Sequence, residues 1–231
     1  MKDYQLYQQI LGLVEPWTVK NVTLKPKERE IEVEVICTET QWGCPHPDCG
    51  KRMHVHEWEE RRWRHLDSCQ FKTVLTGKVP RVLCDVHGSQ TVAVPWAEKY
   101  ARCTRLFERF AIDVLQVCST AEACGLLDLS WDEADGIKQR AVKRGLARKP
   151  VRVNKDLCVD EKSAARGQEY VTVVARVDAE GTTVDWIGEG RKQESLDGYW
   201  QGLTAKQLTG IEAVAMDMWE AYVQSTSAHV P

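Results

Sequence analysis

The amino-acid sequence predicts a multidomain α+β protein: a β-rich N-terminal part carrying a metal knuckle, a helical segment, and an α/β domain. Three observations carry that expectation. Cysteine, histidine, tryptophan and arginine are dense between Thr38 and Glu98, helical periodicity runs from about Thr104 to Ala147, and strand-like patterning opens at Leu157. With 231 residues and 43% hydrophobic content, the chain has enough apolar material for one large domain or a few small ones. No run of about 18 apolar residues occurs, and "MKDYQLYQQI" lacks the basic start and apolar centre of a signal peptide. A cytoplasmic protein with no membrane association is therefore expected. Nine cysteines in such a chain point to metal binding or core packing before disulfides.

Residues 1–37 open with an amphipathic helix in "YQLYQQILGLV". The stretch "WTVKNVTLKPKEREIEVEVIC" then alternates apolar and polar residues on both sides of "KPKER", the pattern of a hairpin. Across residues 38–100 this periodicity breaks up, so the segment is expected to be ordered by something other than a large apolar core. "CPHPDCG" supplies Cys44 and Cys49 on one tight turn, and "RVLCDVHGSQ" supplies Cys84 and His87 on another. Two short-spaced pairs on two turns are how a protein closes a tetrahedron of thiolates and imidazole around a structural Zn²⁺, which would supply folding energy here. His46 stays open as a rival ligand. Cys37, Cys103, Cys118, Cys124 and Cys158 lie in apolar surroundings and read as core.

Residues 101–155 contain three helical patterns. Leu106, Phe107, Phe110, Ala111, Val114 and Leu115 make a stripe on the first. Ser119 and Thr120 offer a cap to "AEACGLL", and Ser130 offers one to "WDEADGIKQRAVKRGL", with "LDLS" as the short turn between them. That is a helix-turn-helix pattern, in which the second helix enters the DNA major groove. Eight Lys or Arg and no acid lie from Lys138 to Lys155, whereas Asp156 to Pro231 carries thirteen acids against six bases. Lys138, Arg140, Lys143, Arg144, Arg148 and Lys149 are the expected phosphate-contacting residues, with Ile137 to Arg144 as the contact face.

Residues 156–231 read as strands Leu157–Val159, Glu169–Val177 and Thr182–Gly188, then a helix in "RKQESLDGYWQGL", a fourth strand over 211–216, and a last helix. Three antiparallel strands followed by a helical crossover to a parallel fourth begin a ribonuclease-H-like sheet. That topology makes the ends of the first and fourth strands neighbours. Asp160 and Asp217 then come within reach of one Mg²⁺, which takes a few carboxylate oxygens together with water and phosphate. Glu161, Glu194 and Glu220 read as surface or capping acids.

The blocks "VDEKSAARGQEYVTVVARVD", "GRKQESLDGYW" and "EAVAMDMWEAYV" resemble those of DDE transposases of the bacterial ISL3 insertion-sequence family, which also place a zinc segment and a helix-turn-helix ahead of the catalytic domain. The resemblance runs in order over nearly the whole chain. It implies that Asp160 and Asp217 are the first two catalytic acids, with a third, a glutamate, downstream of Pro231. It implies Mg²⁺-dependent cleavage and joining of DNA, the terminal inverted repeats of an element as partner, a homo-oligomer on DNA, and a bacterial, nucleoid-associated location. These 231 residues then correspond to a truncated transposase with a partial catalytic domain, expected to be inactive alone. The competing reading is a non-catalytic, zinc-containing helix-turn-helix DNA-binding protein or regulator.

Overall fold

A computed structural model of the chain describes residues 3–165 and 169–231. The chain divides into two compact units, Met1–Ala147 and Arg148–Pro231.

In the first unit, α1 (Asp3–Ile10) leads into β1 (Trp17–Lys25) and β2 (Glu30–Cys37), which form the expected hairpin from Trp17↔Cys37 to Lys25↔Glu30. β3 (Gln41–Gly43), β4 (Arg52–Ser68), β5 (Phe71–Cys84) and β6 (Gly88–Thr91) follow. All belong to one sheet of order β1-β2-β5-β4-β3, with β6 added on β5. The β2–β5 pairing is parallel, from Glu30↔Lys72 to Val35↔Gly77. Gly77 is required there, because a Cβ at this position would lie 2.6 Å from the Val35 carbonyl oxygen.

The sheet corrects the expectation that residues 38–98 lack a large apolar core. Trp17, Val33, Val35, Trp63, Leu75, Val79 and Trp96 are buried together. Trp96 meets Trp17 and Trp63 edge-to-face, at centroid distances of 4.9 and 5.3 Å. The periodicity of this segment looks broken because β4 is half polar and its apolar partners come from the distant hairpin and from the loop after β6. At the end of β4, buried His65 lies 2.9 Å from the Thr104 hydroxyl. Burial, with Arg64 beside it, pushes this imidazole down to about 4, so it is neutral at pH 7.

Three helices complete the unit: α2 (Arg105–Leu115), α3 (Thr120–Leu127) and α4 (Trp131–Ala147). The Ser-x-x-Glu pattern recurs before α3 and α4, and each forms a capping box. Ser119 and Glu122 bond each other's backbone N–H at 3.3 and 2.9 Å, and Ser130 and Glu133 do so at 3.2 and 2.9 Å. Asp128, in the left-handed region at φ 50, turns the chain between them and buries Leu129. Phe107, Ala111, Leu127 and Ile137 fill the core. Leu106 and Phe110, expected on the buried stripe, are about half exposed.

The second unit is a sheet of order β10-β7-β8-β9 covered by helices. β7 (Asp156–Ala165), β8 (Glu169–Asp178) and β9 (Gly181–Glu189) are antiparallel. After α5 (Gln193–Gln201) and the short α6 (Ala205–Leu208), β10 (Ala213–Met216) returns parallel to β7, and α7 (Glu220–His229) follows. Leu157, Val159, Val174, Leu196, Tyr199, Trp200 and Tyr222 form the core. The first strand does not stop at Val159, as the sequence pattern suggests. It continues through Asp160 and Glu161, because a two-residue alternation tolerates polar side chains on the open face: Asp160 and Lys162 are exposed while Leu157 and Val159 point inward.

Candidate functional site

The first site is built from two turns of the first unit. The β3–β4 turn carries Cys44 and Cys49, anchored by Cys44 N–H to the Lys51 carbonyl at 2.8 Å and Cys49 N–H to the His46 carbonyl at 3.1 Å. The β5–β6 turn carries Cys84 and His87. Four ligand atoms, three Sγ and one imidazole nitrogen, lie within 4.8 Å of one another. In a tetrahedron, Zn–S bonds of about 2.3 Å and Zn–N bonds of about 2.0 Å imply edges of roughly 3.8 Å for S···S and roughly 3.5 Å for S···N. The Cys49–Cys84 sulfurs are 3.7 Å apart, and His87 Nδ1 is 3.6 Å from both Cys44 and Cys84 Sγ. The donor set and spacing therefore fit zinc. Backbone N–H groups of Val86 and His87 lower the Cys84 thiol to about 6, which favours the thiolate that binds metal. His46, the rival ligand, instead stacks on the His87 ring at 4.0 Å, so its side chain buttresses the ligand imidazole.

The second feature is the α3–turn–α4 pair. Its buried face differs from the expectation, which set Ile137 in the contact face: Ile137 is fully buried. Arg140 and Arg144 are also drawn inward. Arg140 bonds the buried carboxylate of Glu108 at 2.6–2.7 Å, and Arg144 bonds Glu108 at 3.2 Å and Glu98 at 2.5 Å. These guanidinium groups hold α4 against α2 by neutralising a buried acid, so their charge is largely matched within the protein although both side chains stay partly exposed. Lys149, in the second unit, pairs with Asp185 at 2.9 Å. Arg148 is exposed at the start of that unit. The solvent face of α4 presents Gln139, Val142 and Lys143, with Lys138 beside them in a loose pair to Asp135 at 3.7 Å.

The third feature lies in the second unit. Met216 of β10 pairs with Val159 of β7 in parallel register, and Asp217 and Asp160 are the residues that follow this last pair, Asp160 within β7 and Asp217 just past the end of β10. Both side chains are exposed. Asp160 Oδ1 accepts the Glu161 N–H at 2.9 Å, and Asp217 Oδ1 accepts the Trp219 N–H at 3.1 Å, each fixing one carboxylate oxygen. Glu161, expected at the surface, is turned inward by strand alternation. It stands opposite buried Thr172, and its Oε2 is buried without a hydrogen-bond partner among the described residues. Tyr222, whose hydroxyl is 3.0 Å from Thr172 Oγ1, has its phenol raised by burial and further by Glu161, Asp217 and Asp160. The three acids thus converge on one end of the sheet. Nothing in the local sequence marks Glu161, apart from its odd-numbered place in a strand longer than its apolar start suggests.

Three family models match the chain in order: a zinc-finger of transposase IS204/IS1001/IS1096/IS1165 over residues 40–87, a helix-turn-helix domain of transposase family ISL3 over 92–142, and an ISL3 transposase domain over 157–231. The chain belongs to the ISL3 family of DDE transposases. Within this ISL3 chain, the first match contains all four zinc-type ligands, the second spans α2, α3 and most of α4, and the third contains Asp160 and Asp217. Relatives include the transposase for insertion sequence element IS1557 of Mycobacterium tuberculosis, 27% identical over 96% of this chain and 52% of the relative. The transposase for insertion sequence element IS1001 of Bordetella parapertussis is 29% identical over 79% of this chain and 45% of the relative. The chain spans about half the length of the curated relatives it matches. No solved structure matches it. Among the described residues no helix is long and apolar enough to cross a membrane.

Proposed function

We propose that the chain binds the ends of an insertion element and carries two acids of a Mg²⁺-dependent centre for cutting and joining DNA strands. The observation that supports this most is the parallel β10–β7 pairing, whose last pair, Met216 and Val159, immediately precedes Asp217 and Asp160. Two exposed carboxylates so placed repel each other unless a cation lies between them. A divalent ion held there would polarise a phosphodiester and activate the attacking oxygen. The strand order, with a parallel fourth strand beside the first, agrees with a ribonuclease-H-like domain. The Cys44, Cys49, Cys84 and His87 cluster holds structural zinc in this reading, and the terminal inverted repeats bind across the helix-turn-helix, with a homo-oligomer assembled on them.

DNA contact by the helix-turn-helix falls to the solvent face of α4. Lys143→Glu should weaken binding to all sequences alike and reduce the slope of log K against log salt by about 1, read by fluorescence anisotropy at several salt concentrations. An unchanged slope would remove Lys143 from the interface. The substitution leaves the Glu108 network intact, which reversal of Arg144 would not.

The acid pair is tested by Mn²⁺ titration of the folded chain, followed by electron paramagnetic resonance. Asp160→Asn and Asp217→Asn should each weaken Mn²⁺ binding about tenfold or more while leaving affinity for blunt duplex DNA unchanged. Mn²⁺ affinity unchanged from the parent chain in both variants would overturn the assignment. Residues 1–231 alone are expected to bind DNA and leave it uncut, since two carboxylates hold a divalent ion too loosely to fix the in-line geometry of strand attack. Metal-dependent nicking that is lost on Asp217→Asn would place a further ligand within these residues, with inward-facing Glu161 the first to examine.

A further inference from the structure

Beside Asp217, the second unit has a cleft of about 780 Å³ that the acid pair does not use. It is lined by Tyr170 at the start of β8, by the Gly190–Ser195 segment that enters α5, and by Trp219. The Arg191 guanidinium lies 4.0 Å from the centre of the Tyr170 ring and 5.4 Å from that of Trp219. Trp219 is held at both ends. Its backbone N–H bonds Asp217 Oδ1 at 3.1 Å and its indole N–H bonds the Arg191 carbonyl at 3.1 Å. The residue nevertheless stays 44% exposed, an unusual state for a tryptophan fixed so closely. Gly190, at φ +80, makes the sharp turn that sets Arg191 between the two rings, and its N–H bonds the Tyr170 carbonyl at 2.7 Å. Glu189 and Glu194 are exposed on the rim, and neither is ion-paired with Arg191 or Lys192.

A fixed aromatic face, an adjacent planar cation and a second flexible cation are the complement of one nucleotide: a base to stack and a phosphate to neutralise. A paired base in a duplex offers its edge and hides its face, so such a site selects an unpaired one. The volume is that of a small-ligand site and too small for a duplex. We propose that this cleft binds a single unpaired nucleotide of the DNA strand adjoining the phosphate at the acid pair, its base on Trp219 and its phosphate at Arg191 and Lys192. The inference rests on the proposed DNA-processing function and gives that site a strand preference. Trp219 is tied to Asp217 by a hydrogen bond, so a nucleotide seated on the indole registers the neighbouring phosphate against the carboxylates.

The test compares binding of the 231-residue chain to a blunt duplex and to the same duplex bearing a single-stranded tail of about four nucleotides. The tail should raise affinity roughly tenfold, the scale of one stacked base. Trp219→Ala should abolish that gain, Arg191→Gln should reduce it, and Trp219→Phe should keep most of it, while all three variants bind blunt duplex as the parent chain does. A parent chain that shows no gain from the tail, or a gain that survives both Trp219→Ala and Arg191→Gln, overturns the nucleotide site without touching the helix-turn-helix. A parent chain that fails to bind blunt duplex overturns the proposed function itself, and the nucleotide site with it.

Discussion

Cys84→Ser should release about one metal ion per chain and open the knuckle end of the first unit. Structural zinc contributes on the order of 10 kcal/mol or more to small fingers that have no other core. Here the loss is local, because Trp17, Trp63, Leu75 and Trp96 bury one another whether or not the turns are tied. Hydrogen exchange should therefore rise over 41–55 and 82–91, where β3, β6 and the adjoining ends of β4 and β5 meet the ligand turns. The centre of β5 and the whole of Arg148–Pro231 should stay protected. Metal content by atomic emission and exchange by mass spectrometry read the two effects separately. Unchanged metal content in the variant would reject the ligand set, and collapse of the entire unit would mean that the tryptophan core cannot stand without the ion.

Glu108→Ala should destabilise the helical part of the same unit by about 3–5 kcal/mol, the range for leaving a buried charge without its partner. The side chain of Glu108 is 2% exposed, and two guanidinium groups converge on its two oxygens. Removing the carboxylate strands Arg140 against α2 and takes from Arg144 one of its ion-pair partners, leaving its pair with Glu98. Both arginines reach solvent in part, so the lower end of the range is expected, and Glu108→Gln should cost less because it keeps a hydrogen-bond acceptor. The measurement is the urea midpoint of the variant, with DNA affinity determined at a temperature where it remains folded. A shift below about 0.5 kcal/mol would show that the network is no better than a surface ion pair.

The features read correctly from sequence are those set by local chemistry. The Cys-x4-Cys and Cys-x2-His pairs mark their turns because two ligands per turn are a local requirement. The Ser-x-x-Glu motifs mark both helix starts because a capping box closes within four residues. The parallel pairing of β10 with β7 was legible at longer range only because β-strand alternation, a helix and another short apolar strand leave few ways to complete a sheet. What stayed hidden depended on distant partners. The tryptophan core under β4 and β5 draws half its members from residues 17–35 and 94–97. The inward turn of Arg140 and Arg144 depends on Glu108 lying one helix away, and a basic run in sequence does not show which of its charges are already matched. Glu161 reads as a surface acid until the true length of β7 fixes which face it occupies.

The parallel seam between β2 and β5 has a consequence for how this chain can be divided. A fragment beginning after Cys37 would keep all four metal ligands and both long strands, yet it would leave one side of β5 bare from Lys72 to Gly77. An uncovered strand edge of that length, holding buried Val74 and Leu75, templates pairing with other molecules. Gly77, which lets the Val35 backbone approach, would offer an intruding strand the same close seat. The strands that carry the metal-bearing turns therefore depend on the N-terminal hairpin to cover an open edge, and the hairpin acts as the sheet's guard against self-association.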